Sequence, residues 1–385
     1  MTRFWFIFLN LCFVATIFAM GCSPNYRLPR ENAKQSSAWP FYRSDTQATG
    51  SAPSGSFPGK LEVIWKRSES GKSAGPLILS HNALVYPSAR KRIKFFDVLS
   101  GKFLGKIKIK GVPQTGVVIY DSLAFFGVSP NRNSLYCINL YNGNTVWQNC
   151  VKDAPDGSII LNNRLMVGSR DGVLTAYDLE TGKQEWTFHT DGRLTAPVAG
   201  FQDMLYQGDD KGNLYALSAI DGTLQFRVAL DGPLVSAPVL SELLTVADMT
   251  GKVYGIDRKN GQQLWKKELG SSIWSAPAVS EATVFIGLTS GYLVALDART
   301  GDEQWRFRTE NVVRAAPVVV GEYVLVGTLT GKLFCLNTAD GKLIDQYQLS
   351  GTIRYCPVSD GNRVYVATES GVIACYGEKN NEETQ

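Results

Sequence analysis

The sequence predicts an all-β fold: an eight-bladed propeller of four-stranded antiparallel blades, its ring closed by a strand from the N-terminal side. Three observations carry that expectation. Pro197, Pro238, Pro277, Pro317 and Pro357 stand 41, 39, 40 and 40 residues apart, each after a small residue and before Val or Ala. Two glycine series keep the same period, Gly172, Gly212, Gly251, Gly291, Gly331 and Gly371 in one turn and Gly101, Gly143, Gly182, Gly222, Gly261, Gly301 and Gly341 in the next. Each unit divides into four runs of strand length, such as VVRAAPVVV, EYVLVGTL, KLFCLNT and KLIDQYQL between Val312 and Leu349. Four short strands joined by tight turns and repeated every 40 or so residues make one blade per unit. Extending the register back through weaker units at Gly157, Gly116 and Pro76 brings the unit starts to eight.

Taken in chain order, residues 1–21 carry Arg3, an apolar run from Phe4 to Met20, and Gly21 immediately before Cys22. That pattern is a secretory signal peptide, and the small residues before the cysteine resemble a bacterial lipobox, which makes Cys22 the acylated first residue of the mature chain. A membrane-spanning anchor is the alternative, because the apolar run is nearly long enough to cross a bilayer. Ser23, rather than Asp, follows the cysteine; by the same resemblance the anchor lies in the outer membrane, facing the periplasm. Residues 22–37 are polar, hold Pro24 and Pro29, show no apolar period and are expected to be a flexible tether. The propeller is expected over 38–377 and a charged, disordered tail over 378–385. The last unit has only three strands, and PGKLEVIWKRSES at 58–70 repeats the Gly-to-Trp spelling of TGKQEWTFHT. It is the candidate for the missing outer strand, which would otherwise leave an open sheet edge.

Composition narrows the function. With 44% hydrophobic and 11% aromatic residues, the 385-residue chain can bury a large core. A formal charge of +4 gives no global nucleic-acid signature, and His81 and His189 are the only histidines for metal binding or catalysis. Asp97, Asp178, Asp257 and Asp297, with Asn139 and Asn337, occupy one slot before a hairpin turn, where an Asx side chain braces backbone amides. Trp147, Trp186, Trp265 and Trp305, with Phe226, follow the turn glycine by four residues and are expected to pack between blades. Cys137, Cys335 and Cys375 share a slot with Ala176, Ala216, Gly255 and Ala295, and Cys356 shares one with Ala196, Ala237, Ala276 and Ala316. Small size accounts for them, with a Cys137–Cys150 disulfide across one hairpin as the alternative.

A binding site is sought where one copy departs from its siblings. Three residues before the repeated proline stand Leu194, Val235, Trp274, Arg314 and Arg354. Trp274, Arg314, Arg354 and the adjacent Tyr355 are the partner-binding candidates, a cationic and aromatic rim on a channel-lining strand; the alternative is that the arginines fill the channel and pair with nearby acids. The first full unit is strongly basic, with Arg90, Lys91, Arg92, Lys94, Lys102, Lys106, Lys108 and Lys110 against Asp97. Outer-strand lysines there either block edge-to-edge pairing or meet anionic headgroups or an acidic partner.

The pattern AP-x-V followed by G-x-L-x-A-L-D-x-x-T-G-x-x-x-W resembles the repeat of quinoprotein-type eight-bladed propellers, and AWPFYRSDTQATG at 38–50 resembles their opening segment. The resemblance covers residues 38–377. Within that superfamily, a lipobox followed by a single propeller is similar to the outer-membrane assembly lipoproteins. It implies a non-catalytic periplasmic scaffold with no cofactor and no metal site. The implied partners are the assembly machinery, a barrel protein bearing POTRA domains, and unfolded barrel proteins, with the membrane reached through the lipid. The alternative is a quinone- or sugar-dependent oxidoreductase of the same superfamily. Against that alternative, no cluster of Glu, Asn and Asp that would hold calcium beside a quinone is recognisable.

Overall fold

A computed structural model of the chain describes residues 24–29, 43–113, 116–129, 134–151 and 157–378. Cys22, the signal segment and residues 379–385 lie outside the described residues, as does most of the tether. Among the described residues every regular element is a strand. The strands form eight separate sheets, which is the expected ring of blades. Blades 1 to 8 are numbered from residues 78–108, 118–150, 159–189, 199–229, 239–268, 278–308, 318–348 and 358–376, the last completed from the N-terminal side.

Blade 6 shows how the repeat becomes structure. Ala278–Ser280, Thr283–Leu288, Tyr292–Asp297 and Glu303–Arg308 pair antiparallel in sequence order. The first strand is short and buried, and first strands of neighbouring blades lie against one another around the axis. The second and third strands read as nearly continuous apolar runs because both of their faces are covered by adjacent blades. The fourth strand alternates exposed and half-buried residues, as an outer edge must.

Closure is by Val63–Ser68, which pairs antiparallel with Val372–Tyr376 and supplies the outer strand of blade 8. Upstream of it, residues 43–57 run across one face of the ring as a strap. Strap carbonyls accept from the first strands of successive blades: Gly200 N–H to Thr46 at 2.7 Å, Leu240 to Gln47 at 3.1 Å, Val279 to Thr49 at 2.9 Å and Val319 to Gly50 at 2.9 Å. One segment thus ties together first strands that share no sheet.

The tryptophan slot joins five of the eight blades to the next one. The indole N–H of Trp147, Trp186, Trp265 and Trp305 donates to the carbonyls of Leu179, Ala219, Ala298 and Thr338, and Trp65 donates to Val98. Each ring also lies on the turn glycine of that following blade. A Cβ at Gly301, held at φ +74°, would come within 2.6 Å of the Trp265 ring, whereas one at Gly321, at φ +58°, would meet nothing within 4 Å. Gly321→Ala is therefore expected to cost only the left-handed backbone penalty, about 1 kcal/mol. Gly301→Ala adds a steric overlap that displaces the indole, for roughly 3 kcal/mol in all. Urea denaturation of both variants checks the difference, and equal losses would remove the packing role given to Trp265.

Two expectations need correction. Cys137 stands opposite Trp147 while Cys150 stands opposite Ser134. The thiols are thus three rungs apart, about 10 Å along the strands, beyond the reach of a disulfide. Both are free, one buried and one exposed. The tether expected over 22–37 is not free over its described part: residues 24–29 are docked on the propeller. Tyr26 and Leu28 are 5% and 4% exposed in the core between blades 1 and 2.

Candidate interaction site

The repeat letters that could pass for chemistry are committed to structure. Asp97 accepts from the Ser100 N–H and hydroxyl, Asp178 from Thr181, Asp257 from the Lys259 N–H, and Asp297 from the Arg299 and Thr300 N–H groups. Asn139 and Asn337 do the same for Tyr141 and Ala339. The donors hold the Asp178 and Asp297 carboxyls below the ordinary range, the Thr181 hydroxyl chiefly in the first case and the Thr300 N–H in the second. They are turn braces.

Asp209 and Asp248, which are not among the residues singled out from the sequence, are fully buried. Asp209 accepts from Gly192, Lys211 and Asn213 N–H groups, the Asn213 amide and the Tyr215 hydroxyl at 3.0 Å. Burial first, and then Asp209, pushes the Tyr215 hydroxyl up to about 12, so it remains a donor. Asp248 is held likewise by Thr250, Gly251, Lys252 and the Tyr254 hydroxyl. Ser169, Thr328 and Thr368 fill the same slot in other blades, three residues before the turn glycine, and that shared spacing is the signal that could have found these acids. Among the described residues no three His, Cys, Asp or Glu side chains converge as metal ligands. Cys137, Cys335 and Cys375 are buried opposite Trp147, Asp345 and Trp65, and burial pushes each thiol up to about 12.

The structure divides the partner-binding candidates. Trp274, Arg314 and Arg354 do not lie on the first strands, which begin at Ala278, Val318 and Val358, but on the connections leading into them. These connections are on the face opposite the strap, because the strap follows the first-to-second-strand turns at the other ends of those strands. The Arg314 guanidinium lies 4.4 Å from the Trp274 ring centroid, across the blade 6–blade 7 boundary. Trp274 is 43% exposed, an unusual state for a ring this large. Arg354 instead pairs with Glu369 at 3.0 Å within blade 8, and Tyr355 is half-buried beside it. The candidate residues therefore divide into a Trp274–Arg314 pair across one blade boundary and an Arg354–Glu369 pair within blade 8.

Arg43, at the start of the strap, is fully buried. Its guanidinium donates to the carbonyl of Pro317 at 2.7 Å and to that of Pro277, the repeated prolines of adjacent blades. Periodicity could not predict this contact, since Arg43 belongs to no repeat.

The slots that lack tryptophan are equally informative. In blade 1 the position is Gly105, opposite Phe95, and in blade 7 it is Asp345, opposite Cys335. Tyr26 stacks on Phe95 at a centroid distance of 3.7 Å, and its backbone presses on Gly105, where a Cβ would meet it at 2.8 Å. The Leu28 N–H takes the Leu140 carbonyl at 2.9 Å, the place an indole N–H takes elsewhere, and Arg27 covers the turn glycine Gly143. In blade 7 the Asp345 carboxylate accepts from the Leu61 N–H at 2.8 Å. Both vacancies are filled by the segment that precedes the ring.

The model of the family described as outer membrane protein assembly factor BamB matches residues 170–244 and 241–385. The chain belongs to the BamB family. BamB of Shewanella oneidensis is 22% identical over 255 residues, covering 60% of this chain and 63% of that protein. BamB of Bordetella pertussis is 23% identical over 276 residues, covering 65% and 70%. The chain thus spans less than two thirds of the Shewanella relative, and 38% of the length of the Yersinia pestis one. Among solved structures, BamB from Moraxella catarrhalis superposes with a TM-score of 0.74 at 19% identity, over 83% of this chain and all of that one. A europium-containing methanol dehydrogenase reaches the same TM-score at 13% identity, over 88% and 90%. At these identities the structural matches establish the shared propeller alone, and it is the family match that separates BamB proteins from dehydrogenases.

Proposed function

We propose that this chain is a non-catalytic periplasmic scaffold, anchored in the outer membrane by lipid on Cys22, that assists assembly and insertion of outer-membrane β-barrel proteins through protein contacts. Membership of the BamB family is the observation that carries this reading. Its partner is a BamA-like barrel protein bearing POTRA domains, and unfolded barrel proteins are its secondary clients. The contact surface is the channel mouth around Trp274, Arg314, Arg354 and Tyr355, where an exposed indole and two guanidinium groups offer stacking together with fork-like hydrogen bonds to carboxylates. The oxidoreductase alternative receives less support, because the acids with catalytic appearance are occupied by backbone donors and tyrosine hydroxyls.

Affinity capture of the full chain from detergent-solubilised membranes tests this, with recovery of a POTRA-bearing barrel protein as the expected result. Consistent absence of such a protein would overturn it. Arg314→Glu with Arg354→Glu is expected to lower that recovery at least about tenfold, the scale of a lost hot spot, without moving the melting temperature. Undiminished recovery would remove the channel mouth as the contact surface. A stoichiometric chromophore on adding calcium and pyrroloquinoline quinone would favour the oxidoreductase instead.

A further inference from the structure

The docked segment 24–29 fixes more than a packing defect. Pro24 and Asn25 form a short parallel bridge along the outer edge of blade 1: the Tyr26 N–H donates to the Lys106 carbonyl at 3.0 Å and the Lys106 N–H to the Pro24 carbonyl at 3.2 Å. Cys22 precedes Pro24 by two residues in the sequence, and two residues of chain reach at most about 7 Å. Wherever Cys22 is anchored, the edge of blade 1 is anchored with it.

That edge has a distinctive charge. Arg90, Lys91, Arg92, Lys102, Lys106, Lys108 and Lys110 stand on the outer two strands of blade 1 and their turns, and among the described residues none lies within ion-pair distance of a carboxylate. Lys94 alone is paired, with Glu69 at 2.6 Å. Elsewhere the ring neutralises many of its cations, as in Arg193–Asp210, Lys252–Asp231, Arg299–Glu242 and Arg354–Glu369. Edge protection does not account for the lysines, because the edge is already covered by residues 24–26. Arg27, Lys106 and Lys108 moreover converge on a cleft with Asn25, Ile107 and Gly143. Three cations and an amide around a small open cleft suit a phosphodiester.

We propose that the outer edge of blade 1, with the cleft between Arg27, Lys106 and Lys108, is a docking surface for anionic phospholipid headgroups, so that the propeller rests on the membrane by this rim rather than swinging on a tether. The proposal rests on the reading of Cys22 as the lipid anchor for its place in the cell. Its physical content is independent of acylation: the surface attracts anionic headgroups by itself, and the anchor holds it within a screening length of them. With blade 1 against the bilayer, the channel axis lies along the membrane plane and the Trp274–Arg314 mouth faces sideways, open to a partner in the same membrane.

The test uses the mature chain from residue 22 with Cys22→Ser, which keeps the docked segment and the whole ring. Sedimentation with phosphatidylcholine vesicles, with and without phosphatidylglycerol, at low and high salt gives the partition coefficient. Binding is expected only with phosphatidylglycerol and is lost at high salt. Lys106→Gln with Lys108→Gln is expected to weaken it about 25-fold, about fivefold per lysine near an anionic surface. Lys211→Gln with Lys259→Gln, on blades 4 and 5, is expected to leave it unchanged. No preference for anionic vesicles, or wild-type binding by the Lys106 and Lys108 variant, overturns the proposal. Failure of the anchor reading shows separately, as an unmodified Cys22 in the mass spectrum of the membrane-purified protein.

Discussion

A chain lacking residues 38–68 is expected to lose its single cooperative melting transition. The deletion removes the fourth strand of blade 8 and leaves Val372–Tyr376 as an open edge. It also removes the strap whose carbonyls hold Gly200, Leu240, Val279 and Val319 of four successive blades, and the indole of Trp65 that bonds Val98. Blades are otherwise joined by side-chain packing between neighbours, so a ring cut at one boundary unravels from that boundary. Differential scanning calorimetry checks the outcome, and a truncated chain melting like the full one would sink the closure mechanism. Trp65→Ala, which spares the strand, is expected to keep a single transition while losing about 3 to 4 kcal/mol.

Arg43→Met is expected to destabilise the protein by about 3 kcal/mol. A charged donor to a buried acceptor contributes roughly 1.5 to 3 kcal/mol, and Arg43 makes two such bonds, to Pro277 and Pro317. The gain is partly offset because its buried Nε has no partner. Arg43→Lys is expected to recover less than half of the loss, since one ammonium cannot present the planar fork that spans two carbonyls. A guanidinium chloride midpoint unchanged in Arg43→Met would show that these two bonds are incidental to stability.

The regular parts of the fold were legible because a propeller repeats its constraints. Asp97, Asp178, Asp257 and Asp297, with Asn139 and Asn337, are braces for the same turn, and six occurrences in one slot outweigh any catalytic reading of one. Trp147, Trp186, Trp265 and Trp305 were legible for the same reason, and their hydrogen bonds to the next blade give that packing its direction. Of the candidate site, the sequence offered residues that share one slot, and the structure groups them differently. Trp274 and Arg314 meet across a blade boundary, whereas Arg354, in the same slot, meets Glu369 from its own blade. Equal spacing in sequence cannot tell these apart, because the neighbour on the facing turn decides. The Cys137–Cys150 pairing failed on register, where a bulge beside Trp147 shifts the outer strand against its partner.

The sequence by itself determined the number of blades, the order of strands within each, the closing strand, the turn residues and the small-residue slots. All of these recur, and each follows from contacts within one unit or between two adjacent ones. Only the tertiary structure decided where the unrepeated residues go. Gly105 and Asp345 are departures whose meaning is invisible until Tyr26 and Leu61 are seen against them, and Arg43 gains its role only when the carbonyls of Pro277 and Pro317 are brought together at the axis. Folding of the ring is what joins these pairs: it places Arg43 and Leu61 beside residues more than 200 positions away and Tyr26 on the finished edge of blade 1, and no local pattern encodes a contact between a segment used once and a surface that exists only after the blades have formed.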